Sequence, residues 1–439
     1  MSPKTGINFF LLLIALFTIF HLQPALAEDV VAEGDYHLAN NSSSPYIPFY
    51  LLHDVATDSW SMSKVPGYNG PSSQVNGRDK IITCNGRICI SAVQTGGPVL
   101  QISYDQGATW SVANNLPSIP DSYAAYYAVK CSDKVCIANG VGSKYFSIIT
   151  SDNGASWALS QNFLNNFTCN NNFCLAVGIA KPTGDDPDNH VKLPLYISQD
   201  AGNSWSAFQY DLTKELNDYF SWASADGLAC HNKTCVIVGD YTGGNTGSGY
   251  YLIVSHDQGQ TWHSIKNIDN PRYAFTGNDD QLSCTDNQCL FVETDDNGLP
   301  VFYISTDEGD TWIKSPFDSQ KLGNNCGESI ESFGLSCMGK SCQVAMNCRK
   351  LLMTKDGGKS WQVSNFPKIK NIDYSLQKVI CTDENSCVAG GDSGNSNAVS
   401  ATPVLFTTKD GGLHWSQVEK ISGLPVEKLD LVDLWGISK

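Results

Sequence analysis

Basic residues are scarce in this chain of 439 residues: 28 Lys plus Arg stand against 44 Asp plus Glu, a formal net charge of -16. That balance excludes a nucleic-acid partner, because neutralising phosphates requires a basic footprint. Charged side chains of either sign make up only 16%, against roughly 25% in an average soluble protein. With 38 Gly and abundant Asn, Ser and Asp, the composition points to a turn-dense β protein. Aromatic residues at 10% rule against disorder. No apolar run reaches the roughly 20 residues of a spanning helix, so the chain is not read as an integral membrane protein.

The N-terminus carries Lys4, an apolar run from Ile7 to Phe20, and Pro24-Ala25-Leu26-Ala27, whose small residues suit a signal-peptidase site. Residues 1–27 are therefore expected to be a signal peptide and the mature chain to be secreted or periplasmic. Export places the 16 cysteines in a disulfide-permissive compartment. Six pairs read C-x4-C: Cys84/Cys89, Cys131/Cys136, Cys169/Cys174, Cys230/Cys235, Cys284/Cys289 and Cys337/Cys342; Cys381/Cys387 has one extra residue. Each pair flanks a polar turn such as Asn85-Gly86-Arg87 and precedes an apolar strand such as Cys174-Leu175-Ala176-Val177. Across a two-residue hairpin such cysteines face each other at about 4.5 Å between Cα atoms, close enough for a disulfide that staples the hairpin locally. Zinc is disfavoured, since the pairs lie about 50 residues apart without partnering histidines.

A second signal runs in register with the first. Seven segments read [ST]-x-D-x-G-x-x-W, ending at Trp110, Trp157, Trp205, Trp262, Trp312, Trp361 and Trp415, at spacings of 47, 48, 57, 50, 49 and 54 residues. In each, an Asp carboxylate is placed to accept turn N–H groups, Gly supplies a left-handed bend, and Trp restarts the chain and packs between sheets. Asp105, Asp152, Asp200, Asp257, Asp307, Asp356 and Asp410 are thus read as turn staples and not as catalytic acids.

The pattern resembles the Asp box, or bacterial neuraminidase repeat, of sialidases, some glucan hydrolases, sortilin-type receptors and photosystem assembly propellers. The resemblance covers nearly the whole mature chain and implies an all-β fold, a β-propeller of four-stranded blades, as one domain over 28–439; the box marks a fold and not an activity. Tyr50 to Trp60 aligns with Leu195 to Trp205 as a decayed box lacking the Asp and Gly. Three N-terminal strands and one C-terminal strand, Leu429 to Trp435, are then expected to share a blade. Eight blades are favoured, with seven as the alternative.

Hairpin connectivity places the Cys turns and Asp boxes on one rim and the variable loops on the other. Cys326 and Cys348 both fall on the variable rim and are expected to bridge. That rim is rich in acids and aromatics, giving binding candidates Tyr210, Tyr219, Trp222, Asp240, Tyr241, Arg272 and Arg349. A sialidase needs three arginines for its substrate carboxylate and an early R-I-P motif; only Arg78, Arg87, Arg272 and Arg349 exist, Arg87 sits in a Cys turn, and no such motif is present. The favoured function is a glycan- or protein-binding module, expected to act as a monomer. The alternative is a glycoside hydrolase with paired carboxylates at the channel mouth, for which Asp186, Asp188 and Asp218 are the catalytic candidates. No cofactor or metal is expected.

Overall fold

The computed structural model of the chain describes residues 30–38, 47–54, 57–64, 82–94, 98–119, 124–182, 191–216, 222–242, 249–265, 282–285, 288–294, 299–322, 332–346, 349–369, 374–392, 404–424 and 429–438. The expected leader, together with Cys326 and Cys348, lies outside them. Eight antiparallel sheets are arranged as a β-propeller. Blade one joins Leu429–Ser438 to Val30–Leu38, Ile47–Asp54 and Ser59–Lys64, so both chain ends share a sheet. Blades two to eight follow in chain order, and their first strands begin at Ile82, Ala125, Asn166, Gly227, Leu282, Ser332 and Ser375. Each first strand touches that of the next blade, and the last touches Leu429–Ser438, which closes the ring. Among the described residues no helix is long and apolar enough to cross a membrane.

The cysteine hairpins form as expected. Cys84 faces Cys89 across the turn Gly86-Arg87, and seven disulfides close with Cα separations of 4.0 to 4.1 Å. The first turn residue is left-handed in Gly86, Asp133, Asn171, Asn232 and Gly339, which explains the Gly/Asn/Asp usage there. Among the described cysteines none is free.

The pairs staple their own hairpins, and the structure adds a second role to that reading. The second cysteine of every pair, Cys89, Cys136, Cys174, Cys235, Cys289, Cys342 and Cys387, is at most 2% exposed and belongs to the core. Cys136 packs in one cluster with Ile90 and Ile102 of the preceding blade, Cys289 with Val236 and Val254, Cys342 with Leu290 and Ile304, and Cys387 with Ala345 and Leu351. The cause is position in the sheet. Each of these residues opens the second strand of its blade, which is hydrogen-bonded on both edges and covered on both faces, as the wholly buried strand Phe173–Val177 shows. The disulfides therefore tie the regular rim into the inter-blade layer, beyond closing their own hairpins.

The Asp box is a second staple on the same rim. In blade four, Ser198 Oγ donates to Asp200 Oδ1 and accepts Gly202 N–H, both at 2.8 Å. Asp200 also accepts the Ser204 N–H at 2.8 Å and the Ser204 hydroxyl at 2.6 Å. Ala201 and Gly202 are both left-handed, and the Ala201 N–H donates to the Asn172 carbonyl of the Cys turn at 2.8 Å. The equivalent bonds link Gln106 to Arg87, Asn153 to Lys134, Gln258 to Lys233, Gly357 to Lys340 and Gly411 to Asn385. Turn and box are therefore one hydrogen-bonded unit, and Arg87 is confined to the regular rim.

Gly202 is needed for space as well as for its φ of 79°: a Cβ there would stand 2.8 Å from Val135 Cγ2 of blade three. The tryptophans fill the same inter-blade layer. Trp110 stacks on Tyr50 of blade one and Trp361 on Phe302 of blade six, each with centroids 4.0 Å apart. Each core cluster accordingly mixes neighbouring blades, as where Val292, Phe302 and Ile304 pack with Val344, Leu352 and Trp361.

Candidate functional site

Among the described residues, a buried polar group converges on the variable rim between blades five and six. Along the second strand of blade five, Thr234–Thr242, residues alternate: Cys235, Ile237 and Tyr241 face the blade-four core, and Val236, Val238 and Asp240 face blade six. Blade six answers with Phe291 and, two residues on, Glu293. Glu293 thus lies across the interface from Asp240.

A break in the first strand of blade five completes the site. Trp222–Ala223 pairs with Tyr241 and Thr242, Gly227–His231 pairs further along, and Ser224 to Asp226 bridge the two. Ser224 and Asp226 donate their N–H groups to the Asp240 and Val238 carbonyls, at 3.0 Å each. The backbone comes so close that a Cβ on Gly239 would stand 2.0 Å from the Ser224 carbonyl oxygen, which also accepts the Tyr251 hydroxyl. Breaks of this kind re-aim side chains beside functional sites.

Ser224 Oγ lies 2.6 Å from Asp226 Oδ1 and 2.5 Å from Asp240 Oδ1. A hydroxyl has one proton to give. With both contacts made, one of the two carboxyl groups must carry a proton of its own. Burial pushes the Asp240 carboxyl up, against the Ser224 and Asp226 hydrogen bonds that favour its charged form. Burial also pushes Glu293 well above the usual carboxylate range. The Tyr250 hydroxyl opposes that rise, and the charges of Asp226 and Asp240 add to it. Three carboxyl groups converge here, each under a tenth exposed.

The sequence-based candidates divide. Asp240 belongs to this cluster. Tyr210 and Tyr241 are corrected from surface platforms to core: they are 5% and 8% exposed, because the strands carrying them continue to Asp211 and Thr242 where loops were expected. Trp222 is 42% exposed at the rim. Arg349, left-handed just before the third strand of blade seven, holds its guanidinium 5.7 Å from the Tyr374 ring centroid of blade eight. Asp186, Asp188, Asp218, Tyr219 and Arg272 lie outside the described residues. Glu293 was missed, although its column shows it: four residues after the second cysteine the other repeats carry Val93, Gly140, Gly178, Gly239, Met346 and Gly391. A carboxylate in that small or apolar column is the signal.

A second grouping on the variable rim is aromatic. Tyr145, at the start of the third strand of blade three, is 54% exposed. Its ring meets Tyr127 edge-on at 6.3 Å and Phe163 at 5.3 Å.

The family model described as BNR/Asp-box repeat matches residues 253–264, the box of blade five. No curated protein matches the chain. Among solved structures, "YCF48 bound to D1 peptide" is 15% identical with a TM-score of 0.45, covering 77% of this chain and 94% of that one. YCF48 from Cyanidioschyzon merolae is 13% identical, TM-score 0.45, over 76% and 96%. The GH74 xyloglucanase from Xanthomonas campestris is 12% identical, TM-score 0.36, over 90% and 71%. Such distant likenesses bear on no activity. With seven Asp boxes in register on eight blades, the chain is a β-propeller of the BNR/Asp-box repeat type.

Proposed function

We propose that this propeller is an exported recognition module that binds a glycan or protein ligand, as a monomer, through its variable rim. The observation that carries the reading is the half-exposed Tyr145 ring braced by Tyr127 and Phe163. An aromatic surface already braced by its neighbours offers apolar contact area at little entropic cost, which suits a sugar face or a peptide side chain. Trp222, on blade five, is a separate exposed aromatic on the same rim. Export is supported by the leader-like N-terminus and by seven disulfides that suit an oxidising compartment.

Glycoside hydrolysis is the second reading, favoured by the Asp240 and Glu293 carboxyl groups, which burial raises toward the protonated form a general acid needs. Their burial weighs against it, since an acid and base must reach the glycosidic bond and these groups are under a tenth exposed. Screening the mature chain on glycan and peptide arrays, with a fluorogenic glycoside panel in parallel, separates the readings. Recognition predicts saturable binding that falls at least about tenfold in Tyr145→Ala, with no turnover. Turnover abolished by Glu293→Gln and untouched by Tyr145→Ala overturns it in favour of hydrolysis.

A further inference from the structure

Opposite the variable rim, where the boxes of blades five and six meet, His256, His263 and Asp310 bring one ligand atom each to within 4.8 Å of one another. His256 Nε2 lies 2.8 Å from Asp310 Oδ1, and His263 Nε2 lies 3.2 Å from the same oxygen. Ligands at 2.0 to 2.1 Å from a tetrahedral zinc ion are about 3.3 Å apart, so these spacings fit a shared ion. All three side chains are between 36% and 51% exposed, which leaves an entry path and a position for water. We propose that His256, His263 and Asp310 form a surface Zn2+ site that clips blade five to blade six.

The repeat shows that this set is a choice of side chains on a general geometry. His256 is the residue before the box Asp, and Asp310 is the residue before Thr311 in the next box. The equivalent residues of blades three and four, Ser151 and Asn203, also meet, with the Ser151 hydroxyl donating to Asn203 Oδ1 at 2.6 Å. Across the seven boxes, the position of His256 is otherwise Tyr104, Ser151, Gln199, Thr306, Lys355 or Lys409. The residue after Trp, His263 here, is otherwise Ser111, Ala158, Ser206, Ile313, Gln362 or Ser416. Two of the eight histidines in the chain are thus spent on one inter-blade contact, facing an acid.

The surroundings also orient the His256 ring. Thr234 Oγ1 lies 3.0 Å from both His256 Nδ1 and Glu308 Oε2. The hydroxyl gives its single proton to the carboxylate, so His256 Nδ1 supplies the proton on its own side. The other ring nitrogen, Nε2, faces Asp310 Oδ1 at 2.8 Å, the spacing at which an imidazole and a carboxylate share a cation, either the proton of an imidazolium or a metal ion in its place. A hydroxyl and carboxylate behind the ring are the outer shell that orients metal-bound imidazoles. Two imidazoles with one carboxylate suit zinc over the harder calcium and magnesium ions.

The test is isothermal titration of Zn2+ into chelator-treated, tag-free mature protein, with visible absorption of the Co2+-loaded protein as a second readout. The site predicts one ion per chain, tetrahedral cobalt bands and no displacement by millimolar Ca2+ or Mg2+. His263→Ala and Asp310→Asn should each abolish saturable binding, and Thr234→Val should weaken it about tenfold. Because the three ligands are exposed, unchanged unfolding of the His263 and Asp310 variants in chelator confirms that their folds persist. Absence of saturable binding, or binding that survives the His263 and Asp310 changes together, overturns the proposal.

Discussion

Asp257 and Glu293 sit in adjacent blades at opposite rims, and their environments treat a carboxylate in opposite ways. Burial alone would raise Asp257, but the Thr261 hydroxyl and N–H and the Ser255 hydroxyl donate to it at 2.6 to 2.8 Å and hold it below its ordinary value. Glu293 is enclosed by strands whose backbone groups already serve the ladder, so burial outweighs the Tyr250 contact and holds the carboxyl well above its ordinary value. Charge is stabilised where a turn leaves spare donors and penalised where a strand leaves few. The regular rim therefore lowers its acids, and the described part of the variable rim raises Asp240 and Glu293.

Removing the Asp257 carboxylate should produce the largest effect. Asp257→Ala strands the Thr261 N–H and two hydroxyls, and hydrogen bonds to a charged acceptor are worth about 1.5 to 3 kcal/mol each. A net loss of about 3 kcal/mol is expected, read as a lower denaturation midpoint. A change under about 0.5 kcal/mol would mean that the disulfides alone hold the rim.

Glu293→Gln should act in the other direction and more weakly. A group held above its unfolded value contributes stability that is present below about pH 4 and lost as pH rises through its folded value. Glu293 and Asp240 thus make the fold less stable toward neutral pH, and Glu293→Gln should raise stability at pH 7 by on the order of 1 kcal/mol while flattening that limb. The box acids give the mirror image: their contribution is present above about pH 4 and lost as pH falls through their depressed values, Asp410 being lowered to about 2 chiefly by the His414 backbone N–H. Stability should peak at mildly acidic pH, and a flat profile from about pH 4 to 8 would contradict the contrast between the rims.

What the sequence made legible follows the same division. The boxes and cysteine turns repeat, so each copy corrects the reading of the others, and their sharing of a rim follows from hairpin connectivity. The depth of Cys136, Cys289, Cys342 and Cys387 is not in the repeat itself, because it depends on the neighbouring blade that covers them. The variable rim has no second copy of anything. Tyr241 is readable in principle, since it continues the alternation of Cys235 and Ile237 into the core, but Gly239 looks like the end of that strand. Ser224 and Asp226 leave no trace in the pattern because a broken strand re-aims them. The metal cluster is hidden by distance, since His256 and Asp310 belong to different repeats and each is ordinary within its own.

The seam between blades eight and one offers the smallest and sharpest test, because there the regular rim lacks its usual staple. Val55 and Thr57 stand where the box Asp and Gly would be. Asp58 serves instead: its carboxylate accepts from Lys409 of the neighbouring box at 2.5 Å and contacts His53 Nε2 at 3.0 Å, and His53 stacks on Trp60 at 4.6 Å. The Lys409 bond is the main cause of a lowered Asp58 carboxyl. Lys409 is 67% exposed and Asp58 43%, so solvent screens the pair and Lys409→Met should cost no more than about 0.5 kcal/mol, fading in high salt. Asp58→Ala should cost more, since it also frees the His53 ring over Trp60. If the two changes cost the same, the ion pair is all that Asp58 contributes to the seam; if Asp58→Ala costs more at every salt concentration, the histidine stack has taken over the role that the box performs in the other seven blades.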